Sequence, residues 1–336
     1  MNRGRILTLA LSLSLVALLA AQRSEALTIS PPTFEVMAKP GESKSLSIRV
    51  INDQSTLVTL FTSTANFKAQ GETGQPDFLF DVETIDLASW IKPGKTSFTL
   101  EPGDSTFVPF TIDVPAQAEP GGHYAGLFFG TGAPAADGGQ VGIESKLGAL
   151  IILSVEGNIR ESAAVKEFDT SPDRRNHLPV PFVLRIENIG NVHFRPAGFV
   201  TIRNMFGGVS TTIPVNPKEG AVLPASIRRF DLLWQRLDSQ DNGGSFFREL
   251  ADEWKNFGLG SYTAEAVVTY GQNDRVITAT TKFTVFPWRL FLLIAVIVVV
   301  LIWLLVKGIK SYNAMIVRRA EAGGPRPPGR GAKPTA

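Results

Sequence analysis

The sequence predicts an all-β protein: two tandem immunoglobulin-like β-sandwiches, followed by one C-terminal transmembrane helix. Three observations lead there. Short segments of strict apolar/polar alternation recur after Pro-Gly turns, the pattern of half-buried antiparallel strands. Seventeen consecutive apolar residues, Leu290 to Val306, contain no charge, Gly or Pro. A basic start, MNRGR, leads into the apolar run ILTLALSLSLVALLAA, the pattern of a secretory leader.

In chain order, residues 1–26 are expected to be a signal peptide. Ser24 and Ala26 put small residues where a signal peptidase reads, so cleavage is expected after Ala26, with an uncleaved anchor as the alternative. The residues between the two apolar segments suffice for two domains of ~130 residues each. With no cysteine in the chain, each must be held by its own core although it is exported.

The first sandwich is expected over 27–160. Leu46, Ile48 and Val50 alternate with Ser45, Ser47 and Arg49, and Val108, Phe110, Ile112 and Val114 form a second inward row. Pro109 in that second run argues for a bulge or an edge. Further strands are expected at 28–38, 58–65, 123–131 and 146–156. Ile85 to Ile91, containing Asp86-Leu87-Ala88-Ser89-Trp90, reads as a helical turn across one end, with Trp90 capping the core. A linker is expected near 160–176, where charged and turn residues gather.

The second sandwich is expected over 161–286. Its inward rows are Phe182, Leu184 and Ile186; Val200 and Ile202; Phe230, Leu232 and Trp234; and Tyr262, Ala264, Ala266, Val268 and Tyr270. A helical insertion is expected at 245–257, capped by Ser245 and stopped by Gly258, with Phe247, Leu250, Trp254 and Phe257 on one face. Such a helix covers an open sandwich end or offers its aromatic face to a partner or a membrane surface. Tyr124 and Tyr262 each follow a Gly-rich turn and precede a small residue two places on. That arrangement fits a tyrosine corner, in which the hydroxyl bonds back to upstream backbone, or two tyrosines that simply begin strands.

The span is expected over 287–306, at ~1.5 Å per residue a match for a ~30 Å hydrocarbon slab. Lys307, Lys310, Arg318 and Arg319 follow it, so the positive-inside rule places the C-terminus in the cytoplasm and the ectodomain outside the cell or in the periplasm. The basic tail 307–336 is expected to be disordered.

The same sequence offers little chemistry. The chain has three histidines far apart, no cysteine, and no HExxH, GxSxG, phosphate-binding or dinucleotide-binding pattern, which points to binding without catalysis and to no cofactor. Asp169 and Asp173 could contribute to a calcium site in a loop, although two loop carboxylates are ordinarily just solvated. A net charge of +2, with the excess in the tail, implies no nucleic-acid or broad anionic partner for the ectodomain. If Tyr124 faces the core, alternation turns His123 and Phe129 outward, making them the first candidate binding pair. Phe247 and Trp254 on the inserted helix are the second.

Two stretches resemble a known family. PGGHYAGLFFGT following FTLEPGDSTFVPFTIDVP is similar to the end of the first extracellular domain of WxL-interacting surface proteins, and ENIGNVHFRPAGFVTIRNMFGG is similar to their second domain. The order of leader, two sandwiches, span and basic tail resembles that architecture too. The resemblance implies a membrane-anchored bacterial surface protein that holds peptidoglycan or a partner surface protein. The competing class is a structural or assembly component, a stalk or a chaperone-like module presenting a strand edge.

Overall fold

A computed structural model describes residues 26–80, 85–132, 146–236, 245–322 and 324. The leader reading, the Gly-rich 133–145 segment and the end of the tail lie outside them.

Ten strands build the first sandwich: β1 (Leu27–Ser30), β2 (Thr33–Ala38), β3 (Ser43–Asn52), β4 (Val58–Gln70), β5 (Gln75–Leu79), β6 (Ile91–Pro93), β7 (Ser97–Leu100), β8 (Ser105–Asp113), β9 (Gly121–Gly130) and β10 (Lys146–Val155). One sheet runs β1-β3-β8-β6, the other β2-β10-β9-β4-β5, with β7 beside β4. A short helix, α1 (Leu87–Trp90), closes one end. The alternating rows of β3 and β8 interdigitate with Ala125, Leu127, Phe129, Ile151 and Leu153 from the facing sheet. Pro109 causes no bulge. It pairs in register with Ser47, just past the point where the β6 ladder ends, so its missing N–H costs no strand hydrogen bond.

The second sandwich comprises β11 (Ala163–Asp169), β12 (Arg174–Arg175), β13 (Val180–Asn188), β14 (Ala197–Asn204), β15 (Val209–Pro214), β16 (Ile227–Trp234), β17 (Gly260–Tyr270) and β18 (Arg275–Val285). Its sheets run β11-β13-β16 and β12-β18-β17-β14-β15. The chain crosses between the cores over 156–162, and the stretch read as linker holds strands β11 and β12 of this sandwich.

The two sandwiches share one topology. In each, the opening segment pairs antiparallel in one sheet (β1 with β3, β11 with β13) and then parallel in the other (β2 with β10, β12 with β18). Both switches run through a Ser-Pro pair, Ser30-Pro31 and Ser171-Pro172, where a missing N–H lets the chain leave one ladder for the next. A second echo closes the next strand. Asn52 and Asn188 are fully buried, and each amide donates to the carbonyl four residues on, Thr56 at 2.9 Å and Val192 at 2.9 Å. Each also ties down a distant segment, through the carbonyls of Leu100 at the end of β7 and of Val222 in the connection before β16. An Arg-x-x-Asn pattern, Arg49 to Asn52 and Arg185 to Asn188, is the sequence trace of this repeat.

The insertion forms helix α2 (Phe246–Lys255), and the chain ends in α3 (Trp288–Ala322). The Ser245 side chain makes no capping bond; the Arg248 and Glu249 N–H groups reach its backbone carbonyl instead. α3 is long and apolar enough to cross a membrane over Trp288–Arg319. It continues past Val306 to Ala322, so the basic residues Lys307, Lys310, Arg318 and Arg319 ride on helix, where a disordered tail was expected.

Candidate functional site

Strand β9 decides which residues are available for binding, and its facing is opposite to the one inferred from the tyrosine. Phe129 is fully buried, edge-on to Phe98 with ring centroids 5.8 Å apart. The cause is in the residues themselves. The face carrying Ala125, Leu127 and Phe129 can fill a core, whereas its opposite carries Gly126 and Gly130 and cannot. His123 belongs to the inward row, and its ring lies 4.7 Å from that of Trp90. His123 Nδ1 is 2.5 Å from Asp86, and Nε2 is 2.8 Å from the Glu119 carbonyl. Burial alone would lower its pKa, but the bonds to Asp86 and Glu119 outweigh it and raise the imidazole above its ordinary value. Both nitrogens are committed to tying α1 to β9. The pair His123 and Phe129 is therefore no outward face.

Tyr124 consequently points away from the core, toward the second sandwich. Its hydroxyl accepts the His193 N–H at 3.0 Å and lies 3.3 Å from His193 Nδ1. Burial pushes the Tyr124 phenol up and the His193 imidazole down. Around this contact, Gly122 donates to the Asn191 carbonyl at 2.8 Å, and the Asn191 amide reaches Pro120 and Asn158 at 3.0 Å each. Gly121, at φ +136°, has no room for a side chain: a Cβ there would sit 2.5 Å from the Asn191 carbonyl oxygen. Glu35 pairs with Arg195, and Arg185 with Glu72 at 2.7 Å. The Asn-Ile-Gly-Asn turn of the second sandwich is thus the connector that fixes it to the first.

Tyr262 behaves differently. Its hydroxyl exchanges 3.3 Å bonds with both backbone groups of Leu259, three residues upstream, so a tyrosine corner exists in the second sandwich only. Tyr262→Phe is expected to lower the stability of that sandwich by about 0.5–1.5 kcal/mol, while Tyr124→Phe acts on the junction and leaves both cores unchanged. Denaturation of the ectodomain followed through single-domain reporters checks this; equal losses within each sandwich would contradict it.

The outer face of β2, β10, β9 and β4 forms the floor of a cleft against the second sandwich. Phe67, Leu150 and Ile152 line the floor, and Leu223, Ile227 and Arg228 line the opposite wall, around a cavity of about 240 Å³. Arg228 reaches across it. Its guanidinium occupies space that a Cβ on Gly74 or Gly220 would fill, and it packs 5.7 Å from the Phe230 ring centroid. Nη1 donates to the Ala221 carbonyl at 2.7 Å, and among the described residues no carboxylate pairs with it. Burial pushes its pKa down from the ordinary value. Arg228 was not singled out by sequence; a basic residue in an alternating strand reads as solvated, and only the docking of the second sandwich encloses it.

At the other end of the second sandwich, Phe247 and Trp254 are 78% and 71% exposed. Helix α2 does not cover an open end with its aromatic face. Its buried residues are polar, Glu253 and Asn256, and Glu249, Leu250 and Asp252 are half-buried beside them.

These features define an all-β protein of two tandem immunoglobulin-like sandwiches, joined along a cleft, with one C-terminal apolar helix. No family model matches the chain, and no curated protein matches it in sequence. Among solved structures, it is similar to the class 5 fimbriae chaperone CfaA at 12% identity, covering 77% of this chain and 99% of that one, with a TM-score of 0.39. It is similar to a chain of the Salmonella enterica SafA pilin–SafB chaperone complex at 12% identity, 79% and 99% coverage and a TM-score of 0.35. A chain of the CsuC–CsuE chaperone–tip adhesion subunit complex of Acinetobacter baumannii aligns at 12% identity, 61% and 89% coverage and a TM-score of 0.33. Likenesses at this level say nothing about function. No sequence match supports the resemblance to WxL-interacting surface proteins.

Proposed function

We propose that the chain is a membrane-anchored holding or assembly protein, with its ectodomain outside the cytoplasm, that takes an acidic or carboxylate-bearing segment of a partner protein into the cleft between its sandwiches. It acts by binding, without catalysis. The observation that supports this reading is Arg228. A partly desolvated guanidinium with no carboxylate among the described residues is an unfavourable choice for stability and a suitable one for capturing an anion. Phe67, Leu150, Ile152 and Leu223 supply the apolar surface that an extended peptide needs beside such an anchor. The anchor helix α3 carries Lys307, Lys310, Arg318 and Arg319 after its apolar run, which favours a cytoplasmic C-terminus. The wall-polymer reading, implied by the resemblance to WxL-interacting proteins, drew first on His123 and Phe129, which are engaged inside the first sandwich, and then on Phe247 and Trp254, which are exposed.

The test is photo-crosslinking in intact cells, with a benzophenone amino acid at Gln75, an exposed residue lining the cleft, and at Ser210 on β15 as control. A polypeptide adduct is expected at position 75 and none at 210. Arg228→Gln is expected to leave the fold within about 0.5 kcal/mol of wild type, since it removes a desolvated charge, yet to cut the adduct about tenfold, the loss of roughly 1.4 kcal/mol from a charge-assisted hydrogen bond. A glycan adduct, or a polypeptide adduct indifferent to Arg228→Gln, would remove the reading.

A further inference from the structure

Helix α2 is amphipathic, and it is mounted against the expectation for a protein surface in water. Its buried positions are polar, Glu253 and Asn256, with Glu249, Leu250 and Asp252 half-buried beside them, while Phe247 and Trp254 face away together with Arg248, Ala251 and Lys255. Glu253, with 0% exposure, accepts the Leu290 N–H at 2.8 Å and a bond from Arg289 at 3.3 Å. Glu249 pairs with the same guanidinium, which also covers the Trp288 ring at 4.8 Å from its centroid. The Leu290 N–H belongs to the first turn of α3, where backbone donors lack helical partners and the helix dipole favours a carboxylate. Leu290 is also the first residue of the apolar run. The clamp therefore holds α2 level with the first turn of the span. Phe247 and Trp254, seven residues apart on one line of the helix, remain uncovered there.

A separate element presents apolar side chains at the same end. The β14–β15 turn lies beside the start of β17 and the end of β18, because Asn204 pairs with Tyr262 and Gly260 with Val285. Its tip carries Met205 and Phe206, the latter 88% exposed. Met205 packs over Gly260 at the start of β17, whereas the Phe206 ring projects away from its own sandwich.

We infer that this end of the second sandwich is a lipid-facing surface: the aromatic side of α2, with the Met205–Phe206 tip, sits in the headgroup and acyl boundary of the same bilayer that α3 crosses. The inference rests on the reading that α3 is a membrane span. The occupant follows from continuity, since the clamp ties α2 to the first turn of α3 at the very residue where the apolar run begins. Aromatic and thioether side chains suit that layer, and an inward polar line supports the arrangement. With two elements and a span in contact with one bilayer, the ectodomain is held at a fixed attitude, so the cleft points in a constant direction.

The chain contains no cysteine, so a single nitroxide can be placed without background. Full-length protein in phosphatidylcholine vesicles would carry the label through Ala251→Cys, on the exposed side of α2 with both aromatics kept, through Leu301→Cys in the span, or through Phe199→Cys on the outer sheet face. Relative accessibility to oxygen and to a water-soluble nickel chelate reports depth. The expected order is position 301 in hydrocarbon, 251 shielded from nickel at interface depth, and 199 aqueous, with 251 becoming aqueous on Phe247→Ser/Trp254→Ser. Position 251 as aqueous as 199, with 301 in hydrocarbon, overturns the inference and leaves the span intact, directing the aromatic face to a protein partner. Position 301 in water overturns both.

Discussion

Phe129→Ala is expected to destabilise the first sandwich by about 3–5 kcal/mol, the cost of deleting a phenyl ring from a closed core. The ring is fully buried and lies edge-on to Phe98. Its strand is paired on both sides, Phe129 with Leu147 of β10 and with Thr62 of β4, so the backbone cannot shift to close the void. Against a typical domain stability of ~5–15 kcal/mol, this leaves the first sandwich marginal. Any loss of ligand retention in the variant would then reflect unfolding. Denaturant titration of the ectodomain checks the effect, and Phe129→Leu, which refills most of the volume, is expected to recover most of the loss. Unchanged stability together with lost binding would return Phe129 to a ligand-contacting role.

The misreading of β9 shows what an alternating pattern fixes and what it leaves open. Period two separates the faces of a strand but does not say which is inward. Where one face is polar, as in β3 with Ser45, Ser47 and Arg49, the answer is immediate, and the inward row lies in the core. Both faces of β9 carry aromatics, and the tyrosine-corner analogy selected the wrong one. Strand β10 held the better signal. Its run Ala-Leu-Ile-Ile-Leu is apolar on both faces, as in strands covered from both sides. One face meets the core through Ile151 and Leu153; the other, through Leu150 and Ile152, floors the cleft. The existence of a covered second face was therefore legible. What covered it was not, because the docking of the second sandwich depends on Asn191, Arg195 and Glu72 meeting partners more than thirty residues away in sequence. The second sandwich was easier to read, since Tyr262 and the small alternating Ala264 and Ala266 leave one choice of inward face.

Glu253→Ala is expected to release helix α2 from the start of α3, at a local cost of about 3 kcal/mol, the lower end of the range for breaking a buried ion pair. The cost falls in two places. The N–H of Leu290, a buried residue in the first turn of α3 where no helical carbonyl can serve it, loses its only acceptor among the described residues. Arg289 keeps Glu249 and so is not left unpaired, which holds the cost below the upper end. Hydrogen exchange of the full-length protein in bilayers reads the outcome: amides of Leu250 to Phe257 lose protection while strands β13, β16 and β17 keep theirs. Glu253→Gln separates the contributions. It retains a carbonyl oxygen for the Leu290 N–H but no negative charge for Arg289 and the helix dipole, so about half of the protection is expected to remain. Undiminished protection in Glu253→Ala would show that α2 is held without the clamp. If the clamp holds as its geometry indicates, the variant keeps both sandwiches and the Arg228 cleft intact but loses their fixed attitude to the membrane. The crosslink at Gln75 should then survive in detergent and weaken in cells, where a partner must approach from one direction.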